Sequence, residues 1–102
     1  LYAESMAINQ ALGDQRALAY LLEDVGLLAA SQGNARRAQL LVGAADAVRH
    51  AISSPLSPAE LEVLNTRLAT ARTALGADTA AVLAAGQALT LVQALTIATQ
   101  SH

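Results

Sequence analysis

The chain has 102 residues, a net charge of −2 from six arginines against eight acids, and no cysteine. That length allows one domain with a modest core. The charge balance supplies no basic field for nucleic acid, and the missing thiols exclude disulfides, thiolate metal sites and thiol chemistry.

Hydrophobic residues make up 54% of the chain and aromatics only 2%. A core must therefore be assembled from many small Ala and Leu contacts between closely packed helices. The pattern is helical from the start. Tyr2, Met6, Ile8 and Leu12 fall on or near one face of a first helix, and the chain opens at Leu1 already inside that pattern. It reads as a piece of a longer protein. Gly13 stops the helix, and Asp14 caps the next by accepting from free backbone N–H groups.

A second helix over about residues 15–32 carries Leu18, Leu21, Leu22, Val25, Leu28 and Ala29 at helical spacing. Gly33 ends it, and Asn34 caps a third helix over about residues 35–52. That helix is expected to bury Ala38, Leu41, Val42, Ala45 and Val48 and to leave Arg37 and Asp46 outside. Residues 19–52 thus count 34, with Gly26 inside the first helix, Gly33 at the turn, and Ala38 and Ala45 in the second. This is the length and small-residue pattern of a tetratricopeptide-like hairpin. Each helical glycine costs about 1 kcal/mol against alanine, so Gly26 and Gly43 point to close backbone approach between facing helices.

Ser57, Pro58, Ala59 and Glu60 give the clearest local signal: Ser57 at N-cap, Pro58 at N1, Glu60 at N3 closing a capping box. The fourth helix then runs to Leu75, with Leu61, Leu64, Leu68, Ala71 and Leu75 in a narrow stripe. That stripe is expected to pack on helix three rather than on a second copy of the chain. Gly76 stops it, and Asp78 is expected to cap a fifth helix with Val82, Leu83 and Ala85 among its apolar positions. A break at Gly86 and Gln87 follows. Thr90 with Gln93 at N3 then starts a sixth helix, with Leu91, Leu95 and Ala98 inward.

Residues 79–101 carry no charge, which raises a membrane span. The internal glutamines, the capping box within the run and the lack of flanking Lys or Arg favour two short buried helices. The fold expected is all-α, with short connections that make neighbouring helices antiparallel: hairpins over 1–52 followed by a helical extension over 53–102 that packs on them, about six helices in all.

Nothing here assembles a catalytic site. His50, beside Arg49, suits a helix C-terminus, where the dipole favours its charge. Glu23 and Asp24 are adjacent and diverge around their helix, Glu60 is committed to a cap, and no ligand spacing for a metal occurs. The arginine doublet at 36 and 37 reads as a solvated helix face. No enzyme, cofactor or metal is expected.

Residues 2–8 (YAESMAI), Leu12 to Asp14, Asp24 to Gly26, Gln32 to Asn34 and 43–49 (GAADAVR) resemble the end of a tetratricopeptide array. Arrays of this kind lie at the C-terminus of large bacterial transcriptional regulators. Those proteins carry a LuxR-type or related DNA-binding domain and a signal-transduction NTPase core. Residues 55–60 (PLSPAE), 71–76 (ARTALG) and 86–91 (GQALTL) extend the resemblance over nearly the whole chain. It departs where an aromatic would precede Gly86 and where Gln93 would be acidic.

The resemblance implies a cytoplasmic, non-enzymatic module for protein interaction and signal sensing. Its partner would be a protein or the upstream repeats of the parent chain, with no direct nucleic-acid contact and no membrane. Two alternatives stand beside it. One is a structural end-cap or homodimerisation element using Tyr2, Met6 and Ile8; the other is an apolar small-molecule site between Ala-rich helices.

Overall fold

The computed structural model describes residues 2–100, so Leu1 and the terminal His102 lie outside the described residues. The described chain is all-helical: α1 (Tyr2–Leu12), α2 (Gln15–Ser31), α3 (Ala35–Ala51), α4 (Pro58–Leu75), α5 (Thr79–Gln87) and α6 (Leu91–Thr99). A single 3-10 turn, Gly76–Asp78, joins α4 to α5.

Local signals set most of the boundaries. The Asp14 side chain accepts from Ala17 N at 3.0 Å, and Asn34 accepts from Arg37 N at 3.3 Å. Both capping boxes form: Ser57 with Glu60, and Thr90 with Gln93. Asp78 departs from expectation, making no side-chain cap. The 3-10 turn occupies its place, and the Thr79 hydroxyl instead donates to the carbonyls of Gly76 and Arg72, at 2.8 and 3.0 Å.

α3 is the hub, packed against α2, α4, α5 and α6. One core cluster gathers Met6 of α1, Leu18, Leu22 and Val25 of α2, Leu41, Ala44 and Ala45 of α3, and Ala94, Leu95 and Ala98 of α6. A second joins Leu27 and Ala29 to Ala38 and Val42, covered by Leu64 and Leu68 of α4. The α4 stripe therefore packs within the chain. Losing a core leucine such as Leu68 (fully buried) costs about 2–5 kcal/mol through lost transfer energy and the cavity left behind.

Three expectations are corrected. α5 does not fold back antiparallel on α4; it lies on α3 and runs parallel to it, with Thr79 beside Gln39, Leu83 beside Gly43, and Gln87 beside Asp46. Gly43 accordingly faces α5 and not Gly26. A methyl at Gly43 would overlap the Leu83 carbonyl, one at Gly86 would overlap the Leu40 carbonyl, and Gly26 separately admits Ala38 and Val42. Finally, Arg37 is half-buried rather than outside, because α6 ends beside it. Its guanidinium donates to the carbonyls of Ala98 and Gln100, both at 3.1 Å.

No single described helix is long and apolar enough to cross a membrane; the segments Pro58–Gln87 and Leu91–Thr99 reach that length and hydropathy only as a pair, and they lie at 117° to each other.

Candidate functional site: a cleft between α3, α4 and α5

α4 and α5 diverge from a common origin at Gly76 and straddle α3, one antiparallel to it and the other parallel. The opening between them is a cleft of about 470 Å³. Such a volume falls within the range that small ligands occupy. Its floor is α3, which turns Val42, Asp46, Arg49 and His50 to one side, as residues four, seven and eight apart on a helix must. Leu61, Leu64, Asn65 and Arg72 of α4 form one wall and Leu83 of α5 the other, while Ser53, Pro55 and Leu56 close the mouth.

The narrow end is a polar knot. Gln39 is 1% exposed; its amide donates to the Thr79 carbonyl at 3.3 Å and accepts from Arg72 Nε at 3.4 Å. Arg72 Nη1 also donates to Asn65 Oδ1 at 2.8 Å, one helical turn pair away on the same face. These bonds hold the guanidinium at the apex of the cleft.

The mouth is fixed by a buried ion pair. Arg49 donates to Glu23 through Nε and Nη2, at 2.7 and 2.8 Å, and both residues are buried. A forked arrangement of this kind is among the strongest polar contacts available to a carboxylate. Glu23 raises the Arg49 pKa further above its already high value. The remaining Nη1 donates to the Ser54 carbonyl at 3.1 Å, which ties the loop after α3 to the pair.

Tyr20 completes the assembly: the Arg49 guanidinium lies 4.3 Å from its ring centroid, and its hydroxyl donates to Glu60 at 2.9 Å. Glu60 is held below the ordinary carboxylate range, chiefly by the Ser57 backbone N–H and then by Tyr20. Arg49, Tyr20 and Glu60 thus link α3, α2 and the start of α4.

Asp46 accepts from Gln87 at 2.9 Å and lies 3.8 Å from the His50 imidazole, on the solvent side of the cleft. Ser53, at the mouth, has φ 53°. It follows the end of α3 as the left-handed residue of a Schellman turn, with Ser54 N donating to Arg49 O at 3.0 Å.

The residues singled out in the sequence do not converge here. Gly26, Ala38 and Ala45 are buried in helix packing, Gly33 ends α2 with φ 79°, and Thr90 and Gln93 cap α6. Ser57, Pro58 and Glu60 form the α4 cap, which is joined to the site through the Tyr20 hydroxyl. Of the N-terminal interface residues, Tyr2 and Ile8 are exposed, at 40% and 60%. Met6, at 2%, is not: α6 covers it. Ile8, with Leu12 at 74%, leaves an apolar flank on α1.

Glu23, Asp46, Asn65 and Arg72 were missing from that set. Asp46 and Arg49 lie three apart on α3, a spacing that alone marks only a shared face. Among the described residues, no group of three or more His, Asp or Glu is placed to hold a metal ion. Comparison of the chain with protein-family models, curated proteins and solved structures finds no match.

Proposed function

We propose that this chain is a non-enzymatic binding and signal-sensing module, the terminal helical unit of a bacterial transcriptional regulator. In this reading the cleft over α3 receives the signal. The carrying observation is the cleft itself: a volume of about 470 Å³ with Val42, Leu64 and Leu83 inside. The Glu23–Arg49 pair braces one end and the Gln39, Arg72 and Thr79 bonds the other. A preformed apolar cavity with a few oriented polar groups is the usual form of a ligand site. Because α4 reaches α2 through Tyr20 and Glu60, occupancy that moves α4 would be felt at α2. The resemblance to regulator arrays supports placing the module at the end of such a chain, in the cytoplasm, with α1 meeting the upstream repeats.

The test is a nitrogen-15 NMR titration of the chain with small-molecule and protein fractions from its own cell. Shifts centred on Val42, Leu64 and Leu83 are expected with one fraction. If neither fraction moves those resonances, the reading fails.

A second reading has its own observation. Ile8 and Leu12 expose apolar surface on α1 beside a shallow cleft of about 220 Å³ that α1 shares with Val92 and Leu95 of α6. An end-cap or homodimer using that flank would bury it. Dimerisation abolished by Ile8→Glu would favour this reading over the first.

A further inference from the structure

Two of the charges lining the cleft have no settled counter-charge, one at each end. Glu23 neutralises Arg49, whereas Asp46 takes a bond from the neutral amide of Gln87 and has the exposed imidazole of His50 no nearer than 3.8 Å. Arg72 is half-buried, yet its two bonds go to amide oxygens, on Asn65 and Gln39. Among the described residues no carboxylate meets it. Amide oxygens orient a guanidinium without cancelling its charge, and a partly desolvated cation favours an anion beside it.

The surroundings of Arg72 define the rest of the occupant. From the level of Gln39 to that of Asp46 the floor of α3 runs about 10 Å, at the helical rise per residue. Between those levels the cleft is apolar, with Val42 below and Leu64 and Leu83 on either side. Asp46 then places a negative charge toward the open end, where a second acidic group would be repelled.

We infer that the cleft takes a small apolar monocarboxylate, its acid group on Arg72 at the apex and its hydrocarbon body along α3 toward the mouth. This rests on the reading of the cleft as the sensing site and names its ligand class. Asp46 sets the polarity of the ligand: one acid, at the Arg72 end. Dicarboxylates of the same length are disfavoured.

Octanoate, octanol and octylamine, titrated separately into the intact chain, serve as probes. Octanoate should bind at least about tenfold more tightly than octanol, the value of one charge-assisted contact, and shift Val42, Leu64 and Leu83. Octylamine should bind more weakly than octanoate. Arg72→Gln should remove the preference for octanoate over octanol, and Arg72→Lys should restore part of it. Asp46→Asn, remote from the Arg72 bonds, should tighten octanoate binding.

Equal binding of octanoate and octanol, an undiminished preference in a folded Arg72→Gln variant, or shifts centred between α1 and α6 would overturn the assignment. If Arg72→Gln does not fold, a weaker octanoate affinity in Asp46→Asn overturns it instead. A cellular fraction that shifts the cleft while octanoate does not would refute the carboxylate and leave the sensing reading intact. Silence from both rejects both.

Discussion

Gly43 and Gly86 meet face to face where α3 crosses α5: a methyl on Gly43 would lie 3.2 Å from the Gly86 Cα and would also overlap the Leu83 carbonyl. Neither position has room for a side chain, so this contact sets how close α5 lies and how wide the cleft opens. Gly86→Ala and Gly43→Ala should each cost about 2–3 kcal/mol by overpacking. Gly26→Ala puts its methyl 3.2 Å from the Ala38 backbone carbonyl and from a Val42 methyl, tight but without the overlap found at Gly43 and Gly86, and should cost less than either, since the gain in helix propensity, about 1 kcal/mol, offsets part of the strain. Urea denaturation of the three variants checks the order.

The Glu23–Arg49 pair should behave as a unit. Removing one partner strands a buried charge, so Glu23→Leu or Arg49→Met alone should cost about 3 kcal/mol. The double variant, with apolar groups of similar volume, should recover most of that loss. A double variant as unstable as the sum of the singles would show that the two residues act independently.

Acid should loosen the start of α4 late. Glu60 has a folded pKa below its unfolded one, so its contribution is complete above the ordinary glutamate value of about 4.3 and is lost as pH falls through the folded value. The stability gap between wild type and Glu60→Gln should stay constant at neutral pH and shrink only below that point. A gap that closes between pH 6 and 8 would contradict the assignment.

Ser53 holds a left-handed backbone conformation, which strains any residue with a Cβ by about 1 kcal/mol. Ser53→Gly should therefore raise the unfolding free energy by about 0.5–1 kcal/mol. The same substitution should leave the Ser54-to-Arg49 bond in place, read from the hydrogen-exchange protection of the Ser54 amide.

Met6 and Ile8 separate the roles assigned to α1. Met6→Glu buries a charge against α6 and should destabilise by about 3 kcal/mol or more. Ile8→Glu lies in solvent and should change stability by less than about 0.5 kcal/mol. If a dimer forms through this flank, sedimentation of the folded Ile8→Glu variant will show its loss.

How legible the fold was in the sequence depended on distance along the chain. The boxes at Ser57 and Thr90 involve residues three apart, and both form as their spacing predicts. The partner of Gly43 lies 43 positions away on α5, and no periodicity within α3 distinguishes it from Gly26 on α2. Glu23 and Arg49 are invisible as a pair for the same reason: each looks like an ordinary surface charge until the α2–α3 hairpin closes. Met6 reads as exposed because α6, which covers it, lies at the other end of the chain. The cleft was the least legible part, being a gap between helices that no single segment encodes.

The position of α3 as hub has a consequence for synthesis. During translation the α2–α3 hairpin leaves the ribosome well before Gly86 and Leu95, the residues that cover its other sides. Until they arrive, Leu40 and the groove at Gly43 lack the helix that covers them. The hairpin therefore emerges with apolar surface still waiting for α5 and α6, the kind of surface on which neighbouring chains mispair.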